Sequence, residues 1–256
     1  MIEVEALWKV YRGREPIEAL AGVSFTATPG TIFGLLGPNG AGKTTTLRII
    51  ATVLRASSGS VRVDGLSVDE DPQGVRRRIG FLSASTALYE RLTPVELLQY
   101  FGRLNGMSEE TLSRRIDELT ETLDMAEFRD RPCGLLSTGQ KQKASIARAL
   151  IHDPPVLIFD EPTSGLDVLV ARTLVKRIAA LRDARRTIVL STHIMHEAER
   201  LCDEVAIIHA GRIHTQGTVA AIKELTGEAN LEDAFFQLID AEADADADAD
   251  AEAPSA

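Results

Sequence analysis

The segment GPNGAGKTT, Gly37 to Thr45, constrains this chain more than any other stretch. It fits G-x-x-x-x-G-K-[S/T], and its flanks agree with that pattern. Thr31–Leu36 is apolar throughout, as in a strand covered on both faces, and a helical stretch follows from about Gly42 to Leu54. Glycines let the backbone wrap so that successive N–H groups point inward, which makes an anion nest at a helix N-terminus. Gly37, Pro38, Asn39, Gly40, Ala41, Gly42, Lys43, Thr44 and Thr45 are therefore read as a cradle for nucleotide phosphates. Lys43 is placed to reach the β- and γ-phosphates and the Thr44 hydroxyl to ligate Mg²⁺.

Strands and helices alternate around that loop. Ile2, Val4, Ala6, Trp8 and Val10 alternate as one buried face of a strand. Val23, Phe25 and Ala27 mark a second strand ending at Pro29-Gly30. Val61 and Val63, before Asp64-Gly65, suggest a further strand pair. From about Thr93 to Leu150 the pattern turns helical, with a capping box at Thr93-Pro94-Val95-Glu96 and a helix from about Ser108 to Leu123. Val156–Phe159 and Thr187–Leu190 are short apolar runs ending in polar residues, the form of buried parallel strands in an open α/β sheet. Glu204–His209 and Arg212–Gln216 read as a hairpin, and Leu231, Ala234, Phe235, Leu238 and Ile239 as one face of a last helix.

Three further clusters carry chemistry. VLIFDEP ends a strand in two carboxylates: Asp160 to hold Mg²⁺, Glu161 to polarise the water that attacks a γ-phosphate. LSTGQ, Leu136 to Gln140, is a capping box of Ser137 and Gln140. With Thr138 between and Gly139 permitting close approach, its helix N-terminus is a second anion site, which serves the nucleotide of another subunit. His193 follows a strand and is placed to contact the γ-phosphate and the attacking water; His193 and His196 lack a third ligand for zinc. Tyr11 is the candidate to stack on adenine, with Trp8 as its rival.

Composition excludes other classes. With 44% apolar and 26% charged residues the chain is globular, and no apolar run nears the roughly 18 residues that span a bilayer. MIEVEALWKV lacks the basic region of a secretory signal. Net charge is −10, but Asp240, Glu242, Asp244, Asp246, Asp248, Asp250 and Glu252 crowd into 240–256, an alternating Ala/Asp stretch read as a disordered acidic tail. The remaining body is close to neutral, so no nucleic-acid partner is expected. Cys133 and Cys202 are read as free thiols of a reducing compartment. Arg76-Arg77-Arg78 is a solvated helix end or a contact for a membrane partner.

Taken together and in this order, the motifs resemble the ATP-binding subunits of ABC transporters over about residues 2–239. The resemblance implies an α/β fold, a P-loop NTPase with a RecA-like core (about 1–85 and 151–225), an antiparallel β subdomain and an inserted α-helical subdomain (about 86–150). A C-terminal helix at about 229–239 would close the domain 1–239. It assigns Ser164-Gly165-Leu166-Asp167 as the D-loop, with Asp167 its acid, and His193 as the switch histidine. It implies ATP and Mg²⁺ as ligands, a head-to-tail dimer formed on ATP binding, a multi-spanning permease as a separate chain, and a peripheral place on the cytoplasmic face of the membrane. RRIGFLSASTALYERLT, LSTGQKQKASIARALIHDPP and STHIMHEAERLCDEVAIIHAGRI look like the sodium-efflux (NatA-like) branch of exporters, and antibiotic-export ATPases share much of them. One departure stands out: Ala84 occupies the place of the Q-loop glutamine, which leaves that metal position to water. Soluble relatives that act on ribosomes or DNA usually carry paired ATP domains or coiled-coil insertions, and non-catalytic subunits lose Lys43, Glu161 or His193; this chain does neither.

Overall fold

Apolar runs of five or six residues make the centre of the molecule. The computed structural model describes residues 1–83, 88–183 and 185–240. Strands β3 (Ile32–Leu36), β7 (Val156–Asp160) and β8 (Thr187–Thr192) are buried along their whole length. They lie in a six-stranded sheet with β6 (Ile79–Ser83), β9 (Glu204–His209) and β10 (Arg212–Thr218), in the order β10-β9-β3-β8-β7-β6. All pairings are parallel except that of β10 with β9. A second, antiparallel sheet has the order β2-β1-β4-β5, from β1 (Ile2–Tyr11), β2 (Ile17–Ala27), β4 (Ser58–Val63) and β5 (Leu66–Ser67).

Side chains alternate across a strand, so each central strand feeds two cores. Ile32, Leu36, Leu157, Phe159, Ile188 and Leu190 face the helices of one side. Phe33, Leu35, Val156, Ile158 and Val189 face the other, with α1 (Lys43–Ile50) and the antiparallel sheet. Phe25 and Phe33 stack at 4.9 Å between the two sheets. Between β6 and β7 run α3 (Pro94–Leu104), α4 (Glu109–Thr122) and α5 (Thr138–Leu150), after α2 (Pro72–Arg78). The expected capping boxes at Thr93/Glu96 and Ser137/Gln140 are both formed. Gly80 lets α5 come down onto β6, since a Cβ there would run into the Ala149 carbonyl. Helices α6 (Val168–Ala180), α7 (Met195–Leu201) and α8 (Val219–Thr226) follow, and residues 231–240 are helical, burying the predicted Leu231, Ala234 and Phe235.

Two local expectations need correction. The alternation of β1 does not persist: Ile2 and Val4 are buried, but Ala6 is exposed and Leu7 takes the core position. The register shifts between Val4 and Leu7, and Ala6 adopts a φ of 43°. A bulge of this kind moves the next side chain to the opposite face, and two further register shifts follow, between Leu7 and Trp8 and between Lys9 and Val10. Helix α1 stops at Ile50 rather than near Leu54, with Thr52 left-handed at φ 59° and the Leu54 N–H returning to the Arg48 carbonyl. Cys133 and Cys202 are free and buried, and burial pushes both thiols up. Among the described residues, no helix is long and apolar enough to cross a membrane. Ala84 and residues 241–256 lie outside the described residues.

Candidate functional site

The phosphate loop joins the C-terminal end of β3 to α1. Gly42 sits at φ 107° and caps α1 without a side chain, so the first N–H groups of the helix open toward the loop. A Cβ on Gly42 would meet the Ala19 carbonyl at 2.8 Å, and one on Gly37 would collide with the Ile208 carbonyl. The loop is thus squeezed between β2 and β9, and glycine there is a demand of packing. Lys43 is almost wholly buried, and its ammonium donates to the carbonyls of Gly37 (2.7 Å) and Pro38 (3.0 Å).

Strand β7 delivers Asp160 and Glu161 beside that lysine. Asp160 is 2% exposed and accepts from Thr44 Oγ1 at 2.9 Å, Ser191 Oγ at 2.7 Å and Ser83 Oγ at 3.5 Å. Among the described residues no cation pairs with it. A buried carboxylate without a counter-charge is costly, so the pocket fits a hard divalent cation ligated by Thr44 and Asp160. Among the described residues no three His, Cys, Asp or Glu side chains form a metal cage.

Glu161 stands in the left-handed region at φ 50°, held by its N–H to the Ser191 carbonyl (3.1 Å) and hydroxyl (3.2 Å). One carboxylate oxygen is 3.3 Å from Lys43 Nζ, at ion-pair distance but without hydrogen-bond geometry. The other is 2.9 Å from His193 Nδ1. With its proton on Nδ1, the imidazole donates to the carboxylate and leaves Nε2 to accept. Three residues far apart in sequence, Lys43, Glu161 and His193, thus meet around one carboxylate. Ser191, which touches both Asp160 and Glu161, was not singled out by sequence; its only signal was a polar residue at the end of a buried strand.

The remaining candidates lie as follows. Tyr11 is exposed, its hydroxyl 3.4 Å from Thr45 Oγ1 and the Lys9 ammonium 5.2 Å above its ring. Trp8 lies instead over Gly22, whose Cβ would touch the indole at 3.5 Å. Ser137 and Gln140 bond one another, Thr138 is exposed, and Gly139 faces Val170 at the start of α6. Ser137 and Thr138 at this helix end are exposed, and none of the hydrogen bonds of the described residues joins it to the phosphate loop. The Asp167 carboxylate caps α6 through the N–H groups of Leu169 and Val170, both at 3.0 Å.

The sequence matches the ABC transporter family over residues 20–164. It is 41% identical over 223 residues to the ABC transporter ATP-binding protein NatA of Bacillus subtilis, covering 87% of this chain and 91% of that one. It is 37% identical to the daunorubicin/doxorubicin resistance ATP-binding protein DrrA of Streptomyces peucetius, over 88% of this chain and 68% of the relative. Among solved structures, an ATP-binding subunit of an ABC transporter superposes with a TM-score of 0.85 at 32% identity, over 93% of this chain and 99% of that chain. A dimeric ATP-binding cassette in a post-hydrolysis state, bound to ADP and Pi, superposes with a TM-score of 0.78 at 27% identity, over 85% and 98%.

Proposed function

Since the chain belongs to the family of ABC transporter ATP-binding subunits, we propose that it is the motor of an exporter, acting through a separate permease that spans the membrane. It is an ATPase with the fold of that family. The observation that carries the site assignment is the convergence of Lys43, Glu161 and His193 at 3.3 and 2.9 Å. In this reading Gly37–Thr45 bind the phosphates and Tyr11 the adenine. Thr44 and Asp160 hold Mg²⁺, which supplies charge neutralisation at the phosphate oxygens when bound. Glu161 accepts the proton of the attacking water, His193 orients that carboxylate, and Lys43 neutralises charge that develops on the γ-phosphate.

The exposure of Ser137 and Thr138 at the capping box supports assigning Ser137, Thr138, Gly139 and Gln140 to the nucleotide of a second subunit, with Asp167 taking part from the D-loop. Two copies would close head to tail on ATP and part after hydrolysis. The placement of α3, α4 and α5 between β6 and β7 supports the division into a core, 1–85 and 151–225, and a helical subdomain, 86–150.

A cationic groove suits the permease. About 820 Å³ in volume, it is lined by Arg48, Arg76, Arg77 and Arg148 with Tyr89 and Phe101, and among the described residues no Asp or Glu lines it. On a body that is otherwise close to neutral, this surface favours an acidic segment of the partner. Such binding, with the likeness to the family's ATP-binding subunits, supports a peripheral place on the cytoplasmic face of the membrane. The resemblance of its motifs to the sodium-efflux branch favours sodium as the exported ion, and similarity to the daunorubicin/doxorubicin resistance protein DrrA keeps a drug as the second reading.

The test is a pull-down of tagged Glu161→Gln held with Mg-ATP in gently solubilised source membranes. A multi-spanning protein is the expected companion. Recovery of ribosomes, DNA or soluble proteins alone would overturn the exporter reading.

A further inference from the structure

Glu161 keeps a left-handed φ of 50° without being a glycine, a conformation that persists only where its surroundings over-determine it. The next two residues are held from two different helices. The Pro162 carbonyl, the only backbone hydrogen-bonding group a proline has, accepts from Gln142 Nε2 of α5 at 2.6 Å. The Thr163 hydroxyl, 4% exposed, donates to Glu197 Oε2 of α7 at 2.7 Å. The turn closes with the Ser164 N–H on the Glu161 carbonyl at 3.1 Å. Gln142 lies two residues beyond Gln140 on the helix that opens with Ser137, and Glu197 lies four beyond His193.

We propose that Gln142, Thr163 and Glu197 are positioning residues for the reaction. They clamp the turn 161–164 so that the Glu161 carboxylate stays between Lys43 and His193. The clamp also gives α5 a direct handle on Glu161: a displacement of the helix end assigned to the second subunit's nucleotide is passed through Gln142 to the Pro162 carbonyl. Glu197 links the same turn to the helix that follows His193. None of the three reaches the phosphate loop through the hydrogen bonds of the described residues, so they act through Glu161 and not on nucleotide. The proposal rests on the assignment of Glu161 as the base.

The experiment compares Gln142→Ala, Thr163→Val and Glu197→Ala with the conservative Thr163→Ser and Glu197→Gln, in the full chain with Mg-ATP. Glu161→Gln is the control. Thr163→Ser keeps the hydroxyl donor, and Glu197→Gln keeps an amide oxygen to accept it. The first three variants are expected to lose about tenfold in kcat, the worth of one buried hydrogen bond, with KM for ATP and the ATP-driven dimer within twofold of wild type. The two conservative variants are expected within about twofold of the wild-type kcat. Undiminished kcat in Gln142→Ala and Thr163→Val, with Glu161→Gln slow, would overturn the clamp and leave the base assignment standing. So would a rise in KM equal to the fall in kcat, or conservative variants as impaired as the truncations. Wild-type turnover in Glu161→Gln would overturn the base assignment and the clamp with it.

Discussion

The Lys43–Glu161 pair makes an asymmetric prediction for Glu161→Gln. At 3.3 Å the two charges attract by about 5 kcal/mol at an effective dielectric of 20, before desolvation. Both side chains are largely buried, so desolvation offsets most of that, and a net of about 1–2 kcal/mol is reasonable. On the reading that Lys43 serves the β- and γ-phosphates, ATP competes with Glu161 for part of the ammonium's charge. The neutral glutamine removes the ionic part of this competition, though its amide oxygen still accepts, and it keeps the size of the side chain. Affinity for ATP should therefore rise, by about tenfold for each 1.4 kcal/mol released. Turnover should fall by about 10²–10⁴-fold, the ordinary contribution of a positioned base. Equilibrium binding of a fluorescent ATP analogue and a phosphate-release assay on the same preparation measure the two effects separately. Tighter binding with slow hydrolysis is the expected pair. Wild-type turnover would refute the role of Glu161, and weakened binding would refute the idea that Glu161 competes with nucleotide for Lys43.

Three further changes test other parts of the structure. Asp160→Asn removes a buried carboxylate that has no cationic partner, so Tm measured in EDTA should hold or rise while Mg²⁺-dependent ATP binding by calorimetry falls at least tenfold; unchanged Mg²⁺ dependence would remove Asp160 from the metal site. Gly37→Ala forces a methyl into the Ile208 carbonyl, at a cost of about 1–3 kcal/mol, which should appear both as a lower Tm and as weaker ATP binding. Burial lowers the His152 imidazole below its ordinary value, so the unfolded chain takes up a proton that the folded one resists. The penalty is absent above about pH 6.5 and grows as pH falls, by at most about 1.4 kcal/mol per unit. Wild type should lose about 2–4 °C in Tm per kcal/mol between pH 7 and 5.5, and His152→Gln should flatten that part of the slope in scanning calorimetry.

Much of the site was legible because its requirements are local. A loop that wraps anions needs glycines at fixed offsets between a strand and a helix, and a capping box needs its two partners three residues apart. Gly37–Thr45, Thr93/Glu96 and Ser137/Gln140 therefore declared themselves from the sequence alone. The buried strands β3, β7 and β8 were equally plain, since burial on both faces calls for unbroken apolar runs.

What tertiary structure decided are the contacts whose partners lie far apart in the chain. The bulge at Ala6 answers to pairing with β2 and β4, where Gly59 comes up against the Ala6 carbonyl, and no alternation pattern within β1 could foretell it. That Tyr11 rather than Trp8 stands beside the phosphate helix is likewise a matter of tertiary placement, with three register shifts lying along β1 before Tyr11. The demand for glycine at 37 is set by Ile208 on a neighbouring strand, and the clamp on Glu161 by Gln142 and Glu197 on two different helices. The sequence determined which chemical groups the chain can offer to a nucleotide, because helix ends and glycine loops are short-range geometry. Which carboxylate meets the lysine, and what holds it there, follows from the strand order β3-β8-β7, which sets Lys43, Glu161 and His193 side by side at the ends of adjacent strands.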